Sequence, residues 1–191
     1  MIQRLWENVF GMNSADAPAE TAWPASTLVL SVPVPLRGAL LPRAPGVFST
    51  ADVFAKLLAE AKEGVKIFSP YVDPTFTNLA QAARVPIQVV TTLREGRSRS
   101  SPVLERFATN RPLAVRYLHE KQASAQMFQL HAKMILADRT RAYVGSANFT
   151  DTSLHYNFEL GMTFEDRGLI DTLHAIFDYV FDFAARPAAA R

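Results

Sequence analysis

The 191-residue chain has no cysteine. That excludes a disulfide scaffold and any thiolate-bound metal, and it suits a reducing cytoplasm, the location expected here. Long apolar runs are also missing, so no membrane span is expected. The N-terminus, MIQRLWENVF, carries charge within its first residues and lacks the apolar core of a signal peptide. A surplus of one charge sign is absent too: the formal net charge is +2, too weak to demand a nucleic-acid partner, although a pI near 9.0 permits one. No internal repeat is visible. What remains is an ordinary globular composition, 49% hydrophobic and 20% charged, in a chain long enough for one domain with a substantial core.

The chain divides into an N-terminal extension or linker at 1–48, a catalytic domain at 49–186 and a short tail at 187–191. Ile2, Leu5, Trp6, Val9 and Phe10 line one helical face. TLVLSVPV (27–34) reads as an edge strand because of Pro33 and Pro35, and residues 35–46 read as a Pro/Gly-punctuated loop. From Ser49 the pattern is regular. A helical stripe from Val53 to Ala61 precedes a strand at 65–71. Asp73-Pro74 opens a helix to about Ala83. IQVVTTL (87–93) is a continuous apolar strand, Ser101-Pro102 opens another helix, and LAVRYL (113–118) is a further strand. This alternation predicts an α/β fold with a mixed, mostly parallel sheet and helices on both faces. The last third predicts an antiparallel hairpin across Asp138–Arg141, a strand at 157–164 and a long amphipathic helix.

The hairpin carries the chemistry. With a turn at Arg139-Thr140, His131 falls opposite Asn148 and Lys133 opposite Ser146. Residues directly across, or two apart on one strand, share a face, so four polar side chains converge at the open end. A one-residue slip would undo this. Gly145 leaves room there for a ligand or another backbone. One cation, one imidazole, one hydroxyl and one amide can hydrogen-bond a tetrahedral oxyanion and offer a nitrogen nucleophile. Asp138 sits at the far end of the hairpin, which implies a structural role.

The pattern His131-x-Lys133-x4-Asp138-x6-Gly145-Ser146-x-Asn148 resembles the defining motif of the phospholipase D superfamily. Glu159, in NFELG, resembles the Asn-x-Glu segment that follows in many members. The resemblance covers about residues 49–183. It implies a phospholipase D-like fold and a two-step displacement at a phosphodiester, with His131 forming a phosphohistidine and a second motif histidine acting as acid and base. Lys133 and Asn148 would hold the non-bridging oxygens, Ser146 would support them, and Glu159 would accept the other ring N–H of its histidine. The chain holds one motif only. Single-motif members pair two copies across a twofold axis, so the resemblance implies a homodimer. It implies neither a metal nor any other cofactor.

The motif leaves the substrate open. Small single-motif members resemble nucleases, some in phage-defence settings. The loop REGRSRS (94–100) follows a strand and carries Arg94, Arg97 and Arg99, which suits a polynucleotide backbone as well as it suits plain solvent exposure. A nuclease acting on DNA or RNA, targeted by an additional protein partner, is the leading expectation. The alternatives are a hydrolase of phospholipid headgroups or cardiolipin, with an apolar rim that includes Trp6, Phe10 and Trp23, and a dimeric nucleic-acid-binding protein without turnover.

Overall fold

A computed structural model describes residues 24–40, 43, 46–93, 101–119 and 130–184. Along the chain run β1 (Ser26–Ser31), α1 (Val34–Leu40), β2 (Phe48–Ser49), α2 (Thr50–Glu60), β3 (Val65–Phe68), α3 (Pro74–Ala80), β4 (Ile87–Leu93), α4 (Ser101–Ala108), β5 (Leu113–His119), β6 (Lys133–Ala137), β7 (Arg141–Gly145), a π-helical turn (Thr152–Tyr156), β8 (Glu159–Phe164) and α5 (Arg167–Phe183). The described strands form one sheet in the order β2-β1-β8-β7-β6-β3-β4-β5.

The mixed α/β architecture agrees with the sequence reading, with a smaller parallel share than expected. The parallel neighbours are β1/β2, β3/β4 and β4/β5, and the antiparallel ones are β1/β8, β3/β6, β6/β7 and β7/β8. Every antiparallel pairing involves β6, β7 or β8, and one of them is with β1. All six of its residues pair with β8, and only the two-residue β2 lies outside it. It belongs to the body of the sheet, whereas the sequence placed it in an extension. Residues 34–40 are helical where a loop was expected. Pro35 falls in the first turn, where its fixed φ suits a helix and its missing N–H costs nothing.

Both faces of the sheet are covered by helices. On one face Phe54 and Leu57 of α2, Phe76 of α3 and Leu104 of α4 pack on Ile67, Val89, Ile135 and Tyr143. On the other, Ile170, Phe177 and Phe181 of α5 pack on Phe68, Val90, Met134 and Leu136. Strand β6, at the centre, is buried on both faces, so its alternation of side chains is invisible in hydropathy alone.

The hairpin register corrects the sequence reading by one residue. Lys133 pairs with Gly145, and Ala137 pairs with Arg141, leaving a three-residue loop at 138–140. The physical cause is Asp138. It takes a left-handed conformation, φ 54°, which a short polar side chain tolerates. Its carboxylate accepts N–H bonds from Lys62, Glu63 and Gly64, and its own N–H donates to the Gly64 carbonyl. Asp138 is thereby held on the segment after α2 and is not free to pair with Arg141. The ladder ends at Lys133 and Gly145, so His131 and Asn148 lie beyond it and Ser146 is not opposite Lys133.

Candidate active site

Strand directions bring the motif to one end of the sheet. The start of β6, the end of β7 and the start of β8 meet there, and so do the ends of β1, β3, β4 and β5. Lys133 opens β6 with its side chain on the same face as Ile135. It is 6% exposed, yet its ammonium keeps three contacts: it donates to the His131 carbonyl at 2.8 Å and lies 3.2 Å from each His131 ring nitrogen. Burial lowers the Lys133 pKa, and the nearby Glu159 charge opposes that shift. His131 itself is exposed at the open end. A partly desolvated ammonium therefore sits against an accessible imidazole.

Glu159 is buried, 8% exposed, and both its oxygens are engaged. Ser146 Oγ donates to Oε2 at 2.5 Å, and Asn157 Nδ2 donates to Oε1 at 3.1 Å. Ser146 Oγ also accepts from Leu160 N–H, while Ser146 N–H donates to the Leu160 carbonyl. The chain turning after Gly145, together with these bonds, joins Ser146 to Glu159; strand alternation does not. The buried Asn148 Oδ1 has no hydrogen-bond partner among the described residues.

Gly145 admits a close neighbouring backbone, one of the two uses the sequence allowed, and a buried aromatic ring as well. Tyr143 lies on the same strand face, and its ring leans over the paired Gly145 and Gly161. A Cβ on Gly145 would stand 2.7 Å from Gly161 Cα and overlap the Tyr143 hydroxyl, and one on Gly161 would overlap the same ring. Burial pushes the Tyr143 hydroxyl up to about 12, and the Glu159 charge adds to that. Tyr143 and Gly161 escaped the sequence reading, which noted Asn157 only as the first residue of the Asn-x-Glu segment, although the facing glycines become legible once β7 is paired with β8.

Loops around the site are tied together. Ser69 Oγ accepts from Phe149 N–H, Asp73 N–H donates to the Phe149 carbonyl, and Asp73 accepts from both Thr75 N–H and Asp151 N–H. Asp73 is thus the cap of α3 and a latch on the segment after Asn148. His155, in the π-helical turn, lies 2.8 Å from Asp151 Oδ1. His174, on the buried side of α5, donates from Nε2 to the Asp138 carbonyl at 2.6 Å, and burial lowers its pKa. It braces the hairpin far from the site. Arg94, Arg97 and Arg99, like Trp6, Phe10 and Trp23, lie outside the described residues.

The family described as cardiolipin synthase, PLD-like domain, matches residues 54–181, well over half of the chain. The protein therefore belongs to the phospholipase D superfamily. It is 28% identical over 134 residues to the probable cardiolipin synthase YwiE of Bacillus subtilis, a match covering 68% of this chain and 26% of that one. The chain thus spans about a quarter of that relative's length. Among solved structures, Nuc of Salmonella typhimurium, a phospholipase D family member, superposes with a TM-score of 0.65 at 16% identity, over 87% of this chain and 100% of that one. NucT from Helicobacter pylori gives 0.64 at 15% identity, over 85% and 98%. These likenesses establish the fold. No helix among the described residues is long and apolar enough to cross a membrane.

Proposed function

We propose that the protein is a metal-independent nuclease that hydrolyses DNA or RNA through a phosphohistidine on His131, in a site completed by a second copy of the chain. The observation that carries the phosphodiesterase chemistry is the Lys133 ammonium held 3.2 Å from the His131 ring, with Glu159 buried nearby. Lys133 and Asn148 hold the non-bridging oxygens of the diester, and Lys133 neutralises the charge that develops on them. In Asn148 the amide N–H2 is the donor for the phosphate. His131 attacks phosphorus and the P–O bond to the leaving group breaks. The partner copy's motif imidazole gives that oxygen a proton, then takes one from the water that releases the phosphoryl group. Ser146 and Glu159 orient the site. Nucleic acid is favoured because β4 ends at Leu93 at the site end of the sheet. The next residues carry Arg94, Arg97 and Arg99.

A second reading is supported by exposed aromatic side chains near the site. Tyr71, Tyr156 and Phe158 are 50%, 64% and 54% exposed, a rim suited to a phospholipid headgroup or cardiolipin. The experiment incubates the purified chain with labelled DNA, RNA and phospholipid vesicles in chelator, beside a His131→Ala variant. Cleavage of DNA or RNA that disappears in the variant supports the nuclease. Turnover of lipid alone replaces it with the second reading. Binding without turnover, or a requirement for divalent metal, overturns the mechanism.

A further inference from the structure

Strand β1 closes at Ser31, which pairs with Glu159 at the end of the sheet that carries Lys133. Past Val32 the chain enters α1, and Arg37 turns back to that same end. Its Nε donates to the Val32 carbonyl at 2.8 Å, and one terminal nitrogen donates to the His155 carbonyl at 3.4 Å. His155 lies in the π-helical turn, on the segment that runs from Asn148 to Glu159. Nothing in the mechanism above uses Arg37.

An arginine side chain carries five N–H donors in one planar fork. Here two of them go to neutral carbonyls on two separate segments, and no carboxylate among the described residues lies within ion-pair distance of Arg37. Asp151, in the neighbouring turn, is engaged by the His155 ring at 2.8 Å instead. At the other end of the sheet Arg139 and Arg141 are paired with acids. Arg37 is half-buried, so its fork is fixed in place with three donors still to offer. A fork held in advance loses little freedom when it takes up a phosphate. Tyr156, the residue after His155, is 64% exposed and offers a ring on which a base can stack.

The sheet sets the spacing. In the order β1-β8-β7-β6, three strand intervals, roughly 14 Å, separate the strand that leads to Arg37 from the strand that Lys133 opens. Arg37 is pinned to Val32 and Lys133 to the His131 carbonyl, so the two cations serve different phosphates. A polynucleotide supplies phosphates at a repeating interval, whereas a simple headgroup diester supplies one.

We propose that Arg37 forms a subsite for a non-scissile phosphate of a nucleic-acid strand, beside the scissile phosphate at Lys133. The subsite rests on the nuclease reading and narrows its substrate to a strand with neighbouring phosphates, as opposed to an isolated diester.

The test uses the full chain and a short oligothymidylate in which one bridging phosphorothiolate fixes the scissile link and releases a thiol on cleavage. Neutral methylphosphonate replaces the other phosphates one at a time, and both affinity and thiol release are measured at fixed salt. One flanking link is expected to weaken wild-type binding at least tenfold when neutralised. In Arg37→Gln that link becomes indifferent within twofold, while Arg37→Lys, which keeps the charge without the fork, falls between. Equal weakening across the whole series in both variants would make Arg37 a brace of the π-helical turn, and overturns the subsite. So does an unaltered link pattern in Arg37→Gln. An Arg37-dependent preference for vesicles of cardiolipin, with its two phosphates, over phosphatidylglycerol also overturns it if the strand shows no such link. Thiol release with no Arg37-dependent link leaves the nuclease standing without the subsite. An Arg37-dependent link in a strand that is bound and never cleaved does the reverse.

Discussion

At the scale of single residues, the site depends on what is left out as much as on what is present. Gly145 and Gly161 face each other so that the Tyr143 ring can lie across them. Gly145→Ala therefore overpacks a buried aromatic and should cost about 1–3 kcal/mol in urea unfolding. The added methyl meets the Tyr143 hydroxyl, so Tyr143→Phe in the same chain should recover part of that loss. Additive losses in the double-mutant cycle would mean that the ring is not what excludes a side chain there. Glu159 accepts from Ser146 and Asn157 through separate oxygens, and Glu159→Gln leaves only one acceptor. Turnover should fall about 100-fold with the far-ultraviolet spectrum unchanged, and an active Gln variant would remove Glu159 from the machinery. His131, Lys133, Ser146, Asn148 and Glu159 were all legible from spacing. Tyr143 was not, because an aromatic in an apolar strand looks ordinary until the fold sets its neighbours, and the Asn-x-Glu spacing did not show that Asn157 would bond the Glu159 carboxylate.

At the scale of elements, the register of β6 and β7 is the instructive failure. Apolar alternation and a polar tetrapeptide do not distinguish a two-residue turn from a three-residue loop. The choice is made by Asp138, through three backbone N–H groups on a segment more than seventy residues away. No local pattern contains that information. Burial raises the Asp138 carboxyl, but the bonds from Gly64, Lys62 and Glu63, with the Lys62 charge, outweigh it and the net shift is down. Its contribution to stability is therefore present at neutral pH and lost as pH falls through the depressed folded value. Asp138→Ala should cost about 2 kcal/mol at pH 7 and progressively less in acid. Equal losses at both pH values would assign the effect to backbone strain alone. Helix α2 gives the opposite sign. Burial pushes the Asp52 carboxyl up to about 6, against a Ser49 hydrogen bond and the His155 ring. Folding then favours the protonated acid, so stability falls as pH rises from about 4 to about 6. Asp52→Asn should raise the melting temperature at pH 7.5 more than at pH 4.5, and a variant less stable at pH 7.5 would contradict this.

At the scale of the whole molecule, the alternation of strands and helices was legible from Ser49 onward because it is written in local periodicity and caps. The place of β1 was not, since a strand with two nearby prolines reads as an edge and only its pairing with β8 on one side and β2 on the other reveals otherwise. Covering the sheet follows the same logic. Among the described residues α2, α3 and α4 cover one face, while α5 covers the other in part and Val144, Leu160 and Met162 stay exposed on it. The central claim, that His131 becomes covalently phosphorylated during turnover, is tested by quenching the enzyme in alkali during cleavage of a labelled diester and mapping the adduct by mass spectrometry. The account predicts an acid-labile phosphoryl adduct on His131 that is absent from His131→Ala. Full turnover with no adduct on His131 would contradict it.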